Sequence, residues 1–122
     1  MVPVKDLPWW ADEERYLHLV RRVPAGQGWS GITVGKGWAP IVLDADAELA
    51  ELDPDYEIYQ VKEKFGGLRF YCSLGSDESS EIIARAEARA ARTCEDCGSV
   101  RDVSTVLIRG WVRTLCGQCR RD

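Results

Sequence analysis

The chain's 122 residues, 45% hydrophobic and 30% charged, allow one domain or one small domain with an appended module, with too much apolar content for a disordered chain. Twenty acids against sixteen bases give a net charge of −4, which argues against the broad basic footprint of a typical nucleic-acid binder. The longest apolar stretch, Ala39-Pro40-Ile41-Val42-Leu43, falls far short of the ~20 residues of a bilayer span, and no signal-like apolar region opens the chain, so no membrane role and no export are expected.

Residues 1–10 carry two prolines and read as an extended segment that tucks Trp9 and Trp10 against a neighbour. From about Ala11 to Arg22, the spacing of Tyr16, Leu19, Val20 and Val23 predicts a helix, with acids at its start and arginines at its end as the helix dipole favours. His18 falls off that apolar face and reads as a surface residue. Five glycines between Pro24 and Gly37 mark a loop. Gly26-Gln27-Gly28-Trp29-Ser30-Gly31 matches G-x-G-x-x-G, but it follows a proline and no strand, so a dinucleotide site is not expected there.

Trp38, Ile41, Val42, Ala45, Leu49 and Leu52 repeat at helical spacing, with Pro40 tolerable in the first turn, and predict a second helix ending before Pro54. Its Asp44, Glu48 and Glu51 read as a solvated face. The runs Tyr56–Phe65 and Leu68–Leu74 flank Gly66-Gly67 and predict a hairpin with a two-glycine turn. That register pairs Tyr59 with Leu74, Val61 with Cys72, Glu63 with Phe70 and Phe65 with Leu68, which leaves Glu63 as the one charged residue on the apolar face, its role open. On the other face Lys62 meets Tyr71 and Lys64 meets Arg69. Bases beside a ring suit nucleic acid, yet bases on the wet side of a hairpin are also the usual defence against edge pairing, which is the favoured reading. Cys72 reads as a small core residue.

A third helix is predicted from Asp77 to Thr93, capped by Ser76 or Asp77, with Ile82, Ile83, Ala86 and Ala90 inward and Glu81, Arg85, Arg89 and Arg92 on another face. Then come Cys94-Glu-Asp-Cys97, eighteen residues, and Cys116-Gly-Gln-Cys119, a C-x2-C-x18-C-x2-C spacing expected of a four-cysteine zinc site. A thiolate tetrahedron suits Zn2+; a redox pair would need only one C-x-x-C, and an iron–sulfur cluster is the remaining alternative. Four protein ligands make the site closed and the single Zn2+ structural. Between the pairs, Val103–Ile108 and Trp111–Leu115 flank Arg109-Gly110 as a second hairpin. Residues 1–84 are net −7 and residues 85–122 net +3, although four thiolates with one Zn2+ would reduce the latter to about +1.

The stretch Tyr59-Gln-Val-Lys-Glu-Lys-Phe-Gly-Gly-Leu-Arg-Phe-Tyr71, the alanine-rich helix, Cys94-Glu-Asp-Cys97-Gly98 and Gly110-Trp-Val-Arg-Thr-Leu-Cys116 resemble a family of small uncharacterised proteins of bacteria and their bacteriophages. The resemblance covers residues 38–119. It implies a bacterial or phage-infected cytoplasm, metal ligation by the four cysteines and, for a phage-encoded member, a host enzyme or defence component as partner.

The expected fold is α+β: a helix and β-hairpin core over residues 1–76, then a helix and four-cysteine zinc ribbon over 77–122, packed as one compact unit. The expected function is binding of a protein partner, with Trp9, Trp10 and Trp29 as aromatic anchors and Arg85, Arg89, Arg92, Arg109 and Arg113 as further contacts. A nucleic-acid-binding ribbon is the alternative and an enzyme with dispersed carboxylates the third reading, since no histidine dyad, open metal site or nucleotide loop is visible.

Overall fold

The computed structural model describes residues 13–24 and 32–121. Trp9, Trp10, Trp29 and the Gly26–Gly31 motif lie outside the described residues. Helix α1 (Glu13–Arg21) buries Tyr16, Leu19 and Val20, the helical stripe read from the sequence, and leaves His18 exposed. A short strand β1 (Ile32–Thr33) follows, then a 3-10 turn at Lys36–Trp38 that runs into α2 (Ala39–Leu52) with Pro40 in its first turn. Strands β2 (Ile58–Lys64) and β3 (Gly67–Cys72) form the first hairpin, and α3 (Asp77–Ala90) is capped by Ser76, whose hydroxyl accepts from the Ser79 amide. Strands β4 (Ser104–Ile108) and β5 (Trp111–Leu115) form the second hairpin, with both turn residues, Arg109 and Gly110, at the positive φ of a type I′ turn. Helix α4 (Gly117–Arg121) closes the described chain.

Two sheets result. The first has order β1-β2-β3, with β1 parallel and β3 antiparallel to the central β2; the second holds β4 and β5. Leu19, Trp38, Ile41, Leu49, Ile58, Val61, Leu68 and Phe70 share one apolar core with Ile82, Ala86 and Ala90 of α3. Elements on both sides of 76/77 feed this core, and a second apolar cluster gathers around Cys94, Leu115 and Cys116.

The first hairpin keeps the expected faces but shifts its register. Lys64 pairs with Gly67, Glu63 with Leu68, Lys62 with Arg69 and Val61 with Phe70, so the turn is Phe65-Gly66 and not Gly66-Gly67. Phe65 takes φ 53 and Gly66 φ 82, and the Gly66 amide donates to Glu63 Oε2 at 2.6 Å. That hydrogen bond gives Glu63 its role and places a bulky residue where a second glycine was expected. A two-residue shift of pairing leaves the inward parity of Val61, Leu68 and Phe70 unchanged. Phe65, expected inside, is instead 75% exposed at the tip, and an irregularity between Ile58 and Gln60 turns Ile58 inward and Tyr59 out. Gly66→Val is expected to destabilise the fold by ~1–3 kcal/mol, because a β-branched residue must hold positive φ. Its Cβ would also meet Thr105, Thr114 and Val112 at 3.1–3.2 Å. Gly67→Ala, whose Cβ meets the flexible end of Arg69 at 3.3 Å and the Lys64 carbonyl oxygen at an ordinary 3.5 Å, is expected to be mild. Denaturant midpoints of the two variants test this ranking.

The acidic face of α2 is exposed to solvent, as expected, and also carries ion pairs. Arg89 lies 2.8 Å from Asp44, Arg15 3.2 Å from the same carboxylate, and Arg85 3.3 Å from Glu48. Burial works against ionisation of Asp44, but Arg89 and Arg15 outweigh it and hold the carboxyl below its ordinary value. Deeper down, Arg22 pairs with Asp46 at 2.6 Å and lies 4.5 Å from the Tyr56 ring centroid, while the Tyr56 hydroxyl donates to Asp46. This group ties the end of α1 to α2 and to the segment leading into β2.

Candidate metal centre

Each cysteine pair is shaped by backbone donors. In the first knuckle the Cys97 amide points at Cys94 Sγ (3.5 Å), and the Gly98 amide donates to the Cys94 carbonyl (2.9 Å). In the second, the Cys119 amide points at Cys116 Sγ (3.4 Å) and the Arg120 amide donates to the Cys116 carbonyl (3.0 Å). Two residues between cysteines suffice for this because one tight turn then carries both sulfurs and aims an amide at the first. The β4–β5 hairpin spans the intervening residues and folds the two knuckles together.

All four sulfurs lie within 4.8 Å of one another, and Cys97 Sγ is 3.6 Å from Cys116 Sγ. A tetrahedron of thiolates with metal–sulfur bonds of about 2.3 Å has edges of roughly 3.8 Å, so the donor set fits a single ion. Cys94 and Cys116 are buried, Cys119 half-buried and Cys97 exposed. Leu115 is buried beside them, with Val103, Val106 and Ile108 packed around.

The thiols influence one another strongly. Burial raises the Cys94 thiol, but hydrogen bonds from the backbone of Cys97, Cys116 and Asp96 outweigh this and bring it to about 7. Burial and the neighbouring sulfurs of Cys116, Cys94 and Cys97 push Cys119 up instead. At Cys97 the Ser99 backbone lowers the thiol, yet burial and the sulfurs of Cys116 and Cys94 raise it on balance. Cys94 thus ionises more readily than Cys97 and Cys119, and a cation bound among the sulfurs would displace the protons that those two hold.

Residues outside the cysteine pattern hold the site in place. Glu95, buried inside the first knuckle, accepts from Arg113 Nε (2.9 Å) and from the Thr114 amide (3.1 Å), while its own amide donates to the Thr114 carbonyl (2.9 Å). Arg120 bonds the Asp102 and Leu115 carbonyls and pairs with the Asp102 carboxylate at 3.0 Å. Three links cross to the first sheet and α2. The Gly37 amide donates to the Glu95 carbonyl (3.0 Å), Trp38 Nε1 to the Thr93 carbonyl (2.9 Å), and the Thr114 hydroxyl to the Gly66 carbonyl (2.6 Å). None of these was singled out from the sequence; the usable signal was Gly35-Lys36-Gly37-Trp38, two small residues and a ring where a backbone can approach closely.

The expected contact residues fare differently. Arg85 and Arg89 pair with Glu48 and Asp44 while staying exposed, Arg113 pairs with Glu95, and Arg92 and Arg109 are exposed with no ion pair among the described residues, the latter at the tip of the second hairpin. Cys72 packs against the first core, away from the four-sulfur cluster, and burial raises its thiol.

Fold and site together define a small α+β protein with a four-cysteine cluster suited to a metal ion beside a two-stranded ribbon. No protein-family model matches the chain, and neither a curated protein nor a solved structure matches it. Among the described residues no helix is long and apolar enough to cross a membrane.

Proposed function

We propose that this chain is a non-catalytic binding protein of a bacterial or phage-infected cytoplasm, that its cysteines hold one structural Zn2+, and that the ribbon meets a protein partner. The closed four-sulfur cluster carries the reading: four protein thiols complete a tetrahedron and leave no position for water or substrate, so the ion supports shape. The ribbon so supported exposes large apolar side chains. Leu107 and Val100 are 72% exposed and Trp111 71%; Leu107 and Trp111 stand on opposite faces of the second hairpin near its tip, apolar side chains suited to anchor a protein partner that grips it. The resemblance of residues 38–119 to bacterial and phage proteins supports the compartment.

The purified chain is expected to contain one Zn2+ per molecule by elemental analysis; absence of zinc, or an iron–sulfur chromophore, overturns the assignment. For the partner, a tagged chain is compared with Leu107→Asp/Trp111→Asp as bait in native host lysate. Capture of a protein that the substituted bait loses, at unchanged zinc content, is the expected result. Equal capture by both baits excludes the ribbon as the contact surface.

A further inference from the structure

The outer face of the first sheet carries cations that pair with no acid among the described residues. Val61, Leu68 and Phe70 point into the core, so alternation places Gln60, Lys62 and Lys64 of β2 and Arg69 and Tyr71 of β3 on the opposite face. Lysines on an edge strand are readily explained as protection against stray pairing. Here β2 is the central strand, bonded to β1 on one side and β3 on the other, and Lys62 stands between Thr33 and Arg69. Edge protection therefore does not account for it.

The arrangement is also electrostatically unfavourable by itself. Lys62 is directly opposite Arg69, and like charges so placed destabilise a ladder. Among the described residues, Lys62, Lys64 and Arg69 form no ion pair, in contrast to Arg15, Arg85 and Arg89, each of which meets an acid. The one acid of these two strands, Glu63, is turned away to cap Gly66. Rings accompany the bases: Tyr71 is 45% exposed on the same face, and Phe65 is exposed at the turn with the Lys64 ammonium 5.8 Å from its centroid.

We propose that this face binds a single-stranded nucleic acid, with phosphates against Lys62, Lys64 and Arg69 and bases stacked on Tyr71 and Phe65. Unpaired cations interleaved with exposed rings are the two components of sequence-tolerant single-strand binding, because every nucleotide brings one charge and one π-face. A duplex keeps its bases stacked internally and would leave the rings idle; an acidic peptide would do the same. The cations lie on the first sheet and not on the ribbon that carries Leu107 and Trp111, and the inference does not depend on the protein-partner reading.

The test uses the full metal-containing chain and fluorescein-labelled oligo(dT) and oligo(U) of about 15 nucleotides, followed by anisotropy at about 50 and about 200 mM salt. Three phosphate contacts at ~0.7 each predict a log–log salt slope near −2, about a 16-fold loss of affinity over that range. Lys62→Gln/Lys64→Gln/Arg69→Gln is expected to remove the salt dependence. Tyr71→Ala is expected to weaken binding by about 5- to 100-fold with the slope retained. Arg85→Gln/Arg89→Gln, a loss of two positive charges on α3, leaves both unchanged. Failure of either strand to bind at low salt overturns the proposal, as does an equal loss in the α3 variant or equal affinity for a duplex. Displacement of the labelled strand by polyglutamate at matched charge would overturn it in favour of an acidic protein. Circular dichroism and metal content verify that each variant is folded.

Discussion

Cys116→Ser is expected to cost the chain its metal and the order of residues 94–121 while the first core stays folded. Cys116 is buried, 3.6 Å from Cys97 Sγ, and receives the Cys119 amide, so its loss breaks both the tetrahedron and the second knuckle. Structural zinc in such sites contributes ~10–16 kcal/mol of apparent binding free energy. The second apolar cluster has little to replace it with. Leu115 alone is a fully buried aliphatic, a contribution of roughly 1.5–3 kcal/mol, whereas ordering each residue's backbone costs about 1–2 kcal/mol. The first core includes no residue beyond Ala90, so its own packing survives. Amide spectra should then lose dispersion over 94–121, shift at 35–38 and 65–67 where the ribbon is bonded, and keep it over 41–61 and 68–90. Collapse at Ile41, Val61 and Phe70 would mean that the ribbon holds the first core together. Cys72→Ala, on the first core, should keep the metal.

Patterns that depend on one element were readable from the chain alone. The helical stripes at Tyr16-Leu19-Val20 and Ile82-Ala86-Ala90 are buried as expected, the Arg109-Gly110 turn forms, and the cysteine spacing brings four sulfurs together. What depended on the meeting of two elements was not. The first turn fell on Phe65-Gly66 because Glu63 reaches back to an amide and Gly66 packs against the ribbon, neither of which a hairpin sequence discloses. Asp44 and Glu48 face solvent, as their spacing said, but their pairing with Arg89 and Arg85 depends on α3 lying beside α2 and was not legible. Strand β1, two residues long, is below what periodicity can resolve, and without it β2 reads as an edge. Gly35 and Gly37 read as loop glycines, although what they supply is clearance for the Cys94–Glu95 backbone.

That clearance makes Gly37→Ala the most damaging small substitution expected outside the cysteines. A Cβ at this position would stand 2.1 Å from the Cys94 carbonyl oxygen, 2.6 Å from the Gly98 nitrogen and 2.7 Å from the Glu95 carbonyl carbon. All three are backbone atoms of the first knuckle, so no side chain can swing aside. Either the knuckle retreats from α2, losing the Gly37–Glu95 and Trp38–Thr93 hydrogen bonds, or the turn at Lys36–Trp38 distorts under the fully buried Trp38 ring. Overpacking costs ~1–3 kcal/mol and each lost hydrogen bond ~0.5–1.5 kcal/mol, so destabilisation of about 2–4 kcal/mol is expected. Metal should be affected with it, because the atoms displaced belong to Cys94 and to the turn that aims an amide at its sulfur; transfer to a chromogenic chelator should quicken at least about tenfold for a strain of that size. Gly75→Ala, whose Cβ meets nothing within 4 Å, is the control and should change neither quantity. If Gly37→Ala matches that control in denaturant midpoint and chelator kinetics, the knuckle is not seated on α2. A ribbon loosely tethered through α3 would then explain the chain better than a docked one, because only a docked knuckle couples a loop glycine ahead of α2 to metal held at Cys94.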